Sequence, residues 1–507
     1  MHKNNKTSKA LFLLLFSLTI LIDATAQLES SKWVFGHGAG IDFQSGTPVA
    51  FSGSKIKTTE GCSTIADEKG NLLFYTDGIS VWNKDNELMP NGTDLKGNVS
   101  ATQSTIIVPK PGNKSIFYIF TVDSEGGKNG FCYSLVDMSK EKGLGDVIMK
   151  GQTINQRSTE KLMAAMHQNQ VDIWIIVHEY ESDVFLSYLL TKNGLSSNPV
   201  VSVIGMKHDK SIYNTIGYMK ISSDKKKLAL AINGNRKVQV FDFNNTNGLV
   251  SNPVTVSFDT QNFPYGIEFS PDNSLLYIGM VSNGSLYQLN LKSGNETDIQ
   301  NSLTLVGKSN SNKLLGALQL GIDGRIYIAE YNSKFLSVVE NPNAAGKGCL
   351  YKPGAFSLGD NTSMLGLPGF IQDFVAPTGP GTGNTVERTT FKKHTVYFDF
   401  NKVDPNENYN KELRYLVDSL KDNENLSVEI IGHTDSIGNN EYNKKLSLSR
   451  AREIGNYLIS NGIERSHVII SGKGSDEPMD TNKTEKGRKK NRRVEFILKN
   501  QGDTTRH

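Results

Sequence analysis

Cysteine is scarce in this chain, with three residues in 507. So few cysteines, at such irregular spacing, exclude a disulfide framework and a cysteine-based zinc site. Cys62, Cys132 and Cys349 each lie in or beside an apolar, strand-like stretch. This placement favours buried, unreactive thiols, and one disulfide among the three is the alternative.

The chain also lacks an excess of either charge. Its 55 Lys and Arg against 52 Asp and Glu give a formal net charge of +3. A field this weak gives no reason to expect a nucleic-acid-binding protein, or a protein drawn as a whole to an anionic membrane.

Long apolar runs are missing as well. The run at residues 10–22 falls short of the roughly 20 residues that a transmembrane helix needs. It follows Lys3, Lys6 and Lys9 and precedes Asp23-Ala-Thr-Ala26, which is the pattern of a secretory signal peptide cleaved after Ala26. A membrane anchor is the alternative, and a lipid anchor is not expected because no Cys lies near the cut. We therefore predict that residues 1–26 are a signal peptide and that the protein is exported.

Proline is infrequent at 15 residues and glycine frequent at 47, which favours many tight turns over long disordered tracts. From residue 27 to 374 one pattern recurs: an apolar strand, a polar turn, and a second strand rich in aromatic and β-branched residues. Phe269-Ser-Pro-Asp-Asn-Ser-Leu-Leu-Tyr-Ile278 is one example. The second strands are predicted to start near residues 72, 116, 172, 227, 275 and 325.

Repeats of about 40–55 residues are typical of four-stranded propeller blades. We predict an all-β propeller over residues 27–374 with about seven blades. Six blades, or a pair of β-sandwiches, are the alternatives. A seventh blade would combine an inner strand at residues 366–374 with outer strands at residues 33–43, so that both ends of the region close the ring.

Residues 375–385 contain two Pro, three Gly and no large apolar residue after Val375, which predicts a flexible linker over residues 375–390. A compact α/β domain with the order βαβαββ is predicted at residues 391–499, followed by a polar tail at 500–507. Its strands are predicted at residues 395–400, 426–431, 468–471 and 493–498. Its two helical faces are predicted from Tyr409, Leu413, Leu416, Val417 and Leu420, and from Leu446, Ala451, Ile454 and Leu458.

Asp435 and Arg450 are the residues whose placement points to chemistry in this domain. Asp435 follows the end of a predicted strand, and Arg450 lies fifteen residues later in the next helix. Together they would suit a ligand that carries an amine and a carboxylate. The carboxylate of Asp435 can bind the ammonium of the ligand, and the guanidinium of Arg450 can bind its carboxylate. The alternative is a surface ion pair between Asp435 and Arg450.

The region resembles the OmpA-like, Pal/MotB-type C-terminal domain over about residues 392–499. The resemblance is carried by Thr434-Asp435, Asn443, Leu446-Ser-Leu-Ser-Arg450-Ala451 and Asn491-Arg-Arg-Val-Glu495. It implies non-covalent binding of peptidoglycan, with the diaminopimelate of the stem peptide held by Asp435 and Arg450. It further implies pocket positions at Thr434, Asn443, Leu446, Phe398 and Asp399.

A site facing solvent would bind modestly, and many copies at one polymer would raise retention. By this resemblance the protein is expected in the periplasm, associated with the outer membrane through partners. The basic cluster at residues 486–493 is interpreted as a solvated face in which one or two Arg brace the domain. His433 is interpreted as structural.

Nothing in residues 27–374 names a ligand. No nucleophile elbow, zincin helix or recurrent calcium loop is present, and Trp33, Trp82 and Trp174 fall in strand patterns. No cofactor, metal or catalytic residue is predicted. The region is similar to repeat modules beside wall-binding domains in Bacteroidetes-type envelopes, including type IX secretion components, and to the TolB–Pal pairing. That similarity implies an envelope or secretion-system partner. A wall-tethered hydrolase or lyase is the alternative.

Overall fold

The structure is a computed structural model that describes residues 28–208, 211–292, 294–375, 394–399, 401–403, 410–421 and 426–500. The chain divides into two compact units, residues 1–382 and 383–507. The predicted signal peptide, the predicted linker beyond Val375, Tyr409 and the tail beyond Asn500 lie outside the described residues.

The described part of the first unit is built from seven small sheets that follow one another along the chain. They comprise β1–β3, β4–β6 with β28, β7–β10, β11–β15, β16–β19, β20–β23 and β24–β27. The strands are β1 Lys32–Phe35, β2 Ala39–Asp42, β3 Val49–Phe51, β4 Cys62–Ala66, β5 Leu72–Thr76, β6 Val81–Asn83, β7 Thr105–Pro109, β8 Ile116–Val122, β9 Phe131–Asp137, β10 Asp146–Asn155, β11 Leu162–Met166, β12 Ile173–His178, β13 Val184–Thr191, β14 Gly194–Leu195, β15 Val200–Val203, β16 Met219–Ile221, β17 Lys227–Ile232, β18 Lys237–Phe243, β19 Val250–Ser257, β20 Pro264–Phe269, β21 Leu275–Met280, β22 Ser285–Asn290, β23 Thr304–Lys308, β24 Leu315–Leu320, β25 Ile326–Glu330, β26 Phe335–Val339, β27 Tyr351–Ser357 and β28 Pro368–Gly369. A short helix, α1 Glu296–Asn301, lies between β22 and β23.

The turns between first and second strands explain why the repeat is visible in the sequence. The Asp67 carboxylate accepts hydrogen bonds from the backbone N–H groups of Lys69 and Asn71, both at 2.9 Å, and Gly70 takes a positive φ of 82°. Such Asx-type turns need a short polar side chain and a glycine at fixed offsets. The second strands begin at residues 72, 116, 173, 227, 275 and 326, within one residue of the predicted starts.

Consecutive sheets are joined through their first strands. β4 contacts β7, and the series continues through β11, β16 and β20 to β24. Buried side chains link three of these strands, since Lys220 Nζ lies 2.8 Å from Glu268 Oε2 and 2.7 Å from Gln319 Oε1. A buried pair of this kind requires that its remaining hydrogen-bonding groups are met, and the backbone N–H of Leu320 donates to the same glutamate oxygen.

The two ends of the first unit meet, but the expected single shared sheet is wrong. The outer-strand candidate at residues 33–43 forms β1 and β2 of its own three-stranded sheet, whereas β28 pairs in parallel with β4. The segment before β28 lies close to the backbone at Glu60, and this approach requires a glycine at residue 366. A Cβ on Gly366 would lie 1.7 Å from the Glu60 carbonyl oxygen. The two ends are joined instead by backbone hydrogen bonds such as His37 N–H to Thr362 O at 2.9 Å, and by the Ser30 hydroxyl donating to Phe374 O.

The second unit is an α/β domain around one four-stranded sheet of order β29-β32-β30-β31. Strand β32 is antiparallel to both its neighbours, and β30 is parallel to β31. Its elements are β29 His394–Tyr397, α2 Asn410–Lys421, β30 Leu426–Gly432, α3 Asn440–Ser460, β31 Val468–Gly472, α4 Glu485–Asn491 and β32 Arg493–Asn500.

The predicted order βαβαββ is corrected by helix α4, which separates the last two strands. This helix has seven residues, mostly Lys and Arg, so its sequence has no apolar periodicity from which a helix could be predicted. Its start is set by Thr484, whose side chain accepts a hydrogen bond from the N–H of Gly487.

Helix α3 positions the site described below. Asn439 caps it by accepting a hydrogen bond from the N–H of Tyr442, and the helix ends at Ser460, two residues before Gly462 with a φ of 93°. Its Ala451, Ile454 and Leu458 pack in the core of the unit. Among the described residues, no helix combines the length and the apolarity needed to cross a membrane.

Candidate binding site

A cavity of about 190 Å³ opens in the second unit where β30 ends and α3 begins. Asn443, Leu446 and Arg450 reach it from α3 at spacings of three and four residues, which places them on one helical face. Thr434 and Asp435 reach it from the turn that follows β30. The full lining consists of Asn401, Thr434, Asp435, Ile437, Gly438, Tyr442, Asn443, Leu446, Arg450 and Arg492.

Arg450 is completely buried and held by backbone carbonyls. Its Nε donates to Lys402 O at 2.9 Å, Nη1 to His433 O at 3.2 Å and Nη2 to Asp399 O at 3.1 Å. The guanidinium carbon lies 5.1 Å from the centre of the Phe398 ring, a cation–π contact. Burial lowers the pKa of Arg450 to about 10, while Asp435 opposes the shift, so the group stays cationic at neutral pH.

Asp435 is 3% exposed and does not form a surface pair with Arg450. Its Oδ2 accepts a hydrogen bond from Arg492 Nη1 at 2.8 Å, and its Oδ1 accepts one from the Ile437 N–H at 3.0 Å. The alternative of a surface ion pair between Asp435 and Arg450 is therefore wrong, and neither side chain faces solvent as the expected site would require. The two groups are sunk in the wall of the cavity, where a charge interaction is stronger than at the surface.

The other predicted positions divide into two groups. Thr434, Asn443 and Leu446 line the cavity, and the Thr434 hydroxyl is buried without a hydrogen-bond partner among the described residues. Phe398 lies behind Arg450, and the Asp399 side chain is exposed, so that only its backbone carbonyl serves the site.

Sequence reasoning missed five lining residues: Asn401, Ile437, Gly438, Tyr442 and Arg492. Tyr442 and Ile437 are each 46% exposed at the rim, where nothing in the apolar pattern distinguishes them from ordinary surface residues. Arg492 lies in a run of basic residues, so its sequence signal is shared with its neighbours.

Two interpretations of neighbouring residues are consistent with the geometry. His433 is buried, with Nε2 3.4 Å from Glu495 Oε2, and it does not line the cavity. In the basic cluster, Arg492 and Arg493 are each 4% exposed and paired with carboxylates, as expected for arginines that brace a domain.

The first unit holds its own buried ionisable groups. Glu60 accepts a hydrogen bond from Tyr265 at 2.9 Å, and burial, followed by the charge of Glu160, raises the pKa of Glu60 to about 8. Glu160 accepts hydrogen bonds from the backbone and the hydroxyl of Thr102, and Lys161 Nζ donates to Thr215 O at 2.8 Å. All of these side chains are at most 8% exposed. They serve internal hydrogen bonds rather than an open site.

Two histidines and the three cysteines of this unit are buried too. His178 and His208 stack with ring centroids 3.8 Å apart, and burial lowers the pKa of His178 to about 3, so its imidazole is neutral at neutral pH. Cys62, Cys132 and Cys349 are free and buried. Across the part of the chain that the structure describes, no three His, Cys, Asp or Glu side chains group in a way that could hold a metal.

Comparison with known proteins identifies the domain that carries the cavity. Residues 397–492 match the OmpA family. Outer membrane porin F of Pseudomonas fluorescens is 39% identical over 106 residues, which are 21% of this chain and 32% of that protein. The peptidoglycan-associated lipoprotein of Buchnera aphidicola is 37% identical over 106 residues, 21% of this chain and 61% of that protein.

Among solved structures, the peptidoglycan-associated lipoprotein of Burkholderia pseudomallei matches at 27% identity and a TM-score of 0.21, covering 21% of this chain and 91% of that one. The chain spans about a third of porin F and about three fifths of the Buchnera lipoprotein. The second unit thus carries an OmpA domain with Pal-like relatives.

Proposed function

We propose that this is a cell-envelope protein that binds peptidoglycan non-covalently through its OmpA domain and holds the first unit at the wall. The observation that carries the proposal is one cavity lined by both a carboxylate, that of Asp435, and a guanidinium, that of Arg450. Diaminopimelate in the stem peptide ends in an ammonium and a carboxylate on one carbon, which is the complementary charge pair.

The hydrogen-bond inventory leaves capacity for such a ligand. Three of the five N–H groups of Arg450 donate to carbonyls of the described residues, so one on each terminal nitrogen remains for a carboxylate. Each oxygen of Asp435 accepts one hydrogen bond and retains a second lone pair for an ammonium group. A volume of about 190 Å³ corresponds to roughly six water volumes, which is room for an amino-acid head group.

The relatives support the same assignment. One is named a peptidoglycan-associated lipoprotein and another an outer membrane porin, and both match through this domain. We therefore propose a periplasmic location at the outer membrane, reached after removal of the signal peptide, with diaminopimelate gripped by Asp435 and Arg450 and contacted by Thr434, Asn443 and Leu446.

We also propose that the seven sheets form a seven-bladed propeller that acts as an interaction module for an envelope or secretion-system protein, not as an enzyme. The serial contacts between first strands and the meeting of the two ends support a closed ring. A crosslinking pulldown with the full chain tests the module: enrichment of one envelope protein supports it, and recovery of peptidoglycan alone counts against it.

The wall-binding proposal is tested by Asp435→Asn, which keeps the shape of the side chain and removes its charge. Loss of one charge-assisted hydrogen bond predicts about ten-fold to a hundred-fold weaker co-sedimentation with diaminopimelate-type peptidoglycan. Glu441→Gln is the matched control, since Glu441 lies nearby at the start of α3, outside the cavity lining, with its side chain 80% exposed.

Free meso-diaminopimelate should compete with peptidoglycan for the wild-type protein, and pimelate, which lacks the ammonium groups, should compete more weakly. Equal sedimentation of the Asp435→Asn and wild-type proteins would overturn the proposal.

A further inference from the structure

Arg492 joins the cavity to helix α4. The side chain is 4% exposed, and it spans two carboxylates: Nη1 lies 2.8 Å from Asp435 Oδ2, and Nη2 lies 2.9 Å from Glu485 Oε1. Its Nε also donates to Phe398 O at 3.4 Å. A guanidinium fixed at all three nitrogens presents one orientation to Asp435.

Glu485 is the outer end of this chain of contacts. It occupies the first turn of α4 and is 64% exposed, and its second oxygen accepts a hydrogen bond from Arg488 Nε at 3.0 Å. The capped start of α4 fixes the backbone at Glu485, so the short helix sets the position from which Arg492 is held.

The alternative position for Asp435 explains why such a hold matters. Asp435 and Arg450 attract each other, and the torsion of a terminal carboxylate is soft. An Asp435 free to turn toward Arg450 would form the pair that cancels both charges of the cavity. Arg492 instead donates to Oδ2 of Asp435 at 2.8 Å while the Ile437 N–H donates to Oδ1, so both oxygens are held and the carboxylate does not turn toward Arg450.

A second contact braces the same turn. The N–H of Ser436, next to Asp435, donates to Asn482 Oδ1 at 3.2 Å, and the amide of Asn491 donates to that oxygen at 2.8 Å. The bond of Arg492 to Asp435 and the bond of Asn482 to Ser436 both run from residues that flank α4 to the turn after β30. The α4 region therefore orders the carboxylate side of the cavity.

We propose that Arg492 is a positioning residue for recognition of the ligand ammonium. It holds Asp435 away from Arg450, and Glu485 in turn fixes Arg492. This inference rests on the proposed peptidoglycan function. It assigns the seven-residue helix α4 a part in ligand selectivity, although the helix places no residue of its own in the lining.

The test compares two soluble competitors of peptidoglycan binding, meso-diaminopimelate and pimelate, using the full chain. Pimelate has both carboxylates and no amine, so the ratio of the two inhibition constants measures ammonium recognition. General destabilisation weakens both competitors alike and leaves the ratio unchanged.

Arg492→Lys keeps the charge but cannot span both carboxylates, and it should lower the preference for diaminopimelate by about ten-fold, the equivalent of one charge-assisted hydrogen bond. Glu485→Gln should lower it in the same direction by about three-fold, since Arg492 keeps its bond to Asp435. The controls are Arg493→Lys, a buried arginine paired with Glu495, and Asp480→Asn, an ion-paired carboxylate just before α4.

Unchanged ratios in both Arg492→Lys and Glu485→Gln, alongside a reduced ratio in Asp435→Asn, would overturn the inference and leave the proposed function standing. An unchanged ratio in Asp435→Asn would overturn the proposed function itself. If Arg492→Lys fails to fold, the surface variant Glu485→Gln decides the question alone.

Discussion

Glu60 gives the first unit a measurable dependence of stability on pH. Burial, followed by the charge of Glu160, raises the pKa of Glu60 from 4.5 to about 8 in the folded protein. Below pH 4.5 both the folded and the unfolded chain hold the proton, so the group contributes no difference. Between pH 4.5 and 8 the unfolded chain has released the proton while the folded unit keeps it, and the free energy of unfolding falls as pH rises.

The size of the effect follows from the shift. At 1.36 kcal/mol for each pKa unit, ionising Glu60 costs the folded unit up to about 5 kcal/mol by pH 8. Glu60→Gln mimics the protonated acid and can still accept the hydrogen bond from Tyr265. The variant should match the wild-type protein near pH 4.5 and exceed its stability increasingly up to pH 8.

The assay is urea unfolding followed by tryptophan fluorescence at pH 5, 6, 7 and 8. The three tryptophans of the chain, Trp33, Trp82 and Trp174, all lie in the first unit, so the signal reports on that unit alone. His178 and Lys161 have lowered pKa values and add pH dependence of their own. They are present in both proteins, which is why the difference between variant and wild type is the quantity to measure.

Glu87→Gln, at an exposed carboxylate, serves as control. A stability difference between Glu60→Gln and wild type that is the same at pH 5 and pH 8 would refute the reasoning.

Two further predictions follow. Arg450→Lys should lose at least two of the three hydrogen bonds that the guanidinium donates to backbone carbonyls, at a cost of about 3 kcal/mol to the second unit. Calorimetry should show a melting temperature about 10 °C lower for that unit only, and an unchanged melting temperature would contradict the structural role of Arg450. Cys62, Cys132 and Cys349 are buried, and burial raises the pKa of each thiol. A thiol reagent should therefore modify none of them in the native protein and all three in denaturant. Prompt labelling of the native protein would contradict this prediction, because it would show that one thiol is accessible.

The repeat of the first unit could be predicted closely because each second strand follows a polar turn of restricted chemistry. The turn at Asp67 to Asn71 shows this, since its hydrogen bonds need the Asp side chain and its φ needs Gly70. The pairing that joins the two ends of the unit could not be predicted in the same way. Strand β28 has two residues, Pro368 and Gly369, which is too short for any alternation, and its docking depends on the absence of a side chain at Gly366.

In the second unit, local spacing accounts for the residues of α3 that line the cavity. Asn443, Leu446 and Arg450 share a helical face, so their convergence follows from the period of the helix. The partner of Asp435 could not be predicted, because Arg492 lies 57 residues away among several equivalent cations. The burial of Arg450 could not be predicted either. Its hydrogen-bond acceptors are backbone carbonyls, which every residue type carries, so the sequence does not indicate them.

The contacts that hold the last residues of the first unit have a mechanical consequence. A pull on the chain beyond Val375 acts first on Asp373, whose carboxylate bonds the Met166 N–H at 2.8 Å and Lys225 Nζ at 2.6 Å, and on the Ser30 hydroxyl bond to Phe374. These contacts attach the last residues to β11, to the turn before β17 and to the start of the unit. Tension on a tethered copy would thus be divided among separate sheets, and the unit would resist extension as a whole instead of unravelling from its last strand.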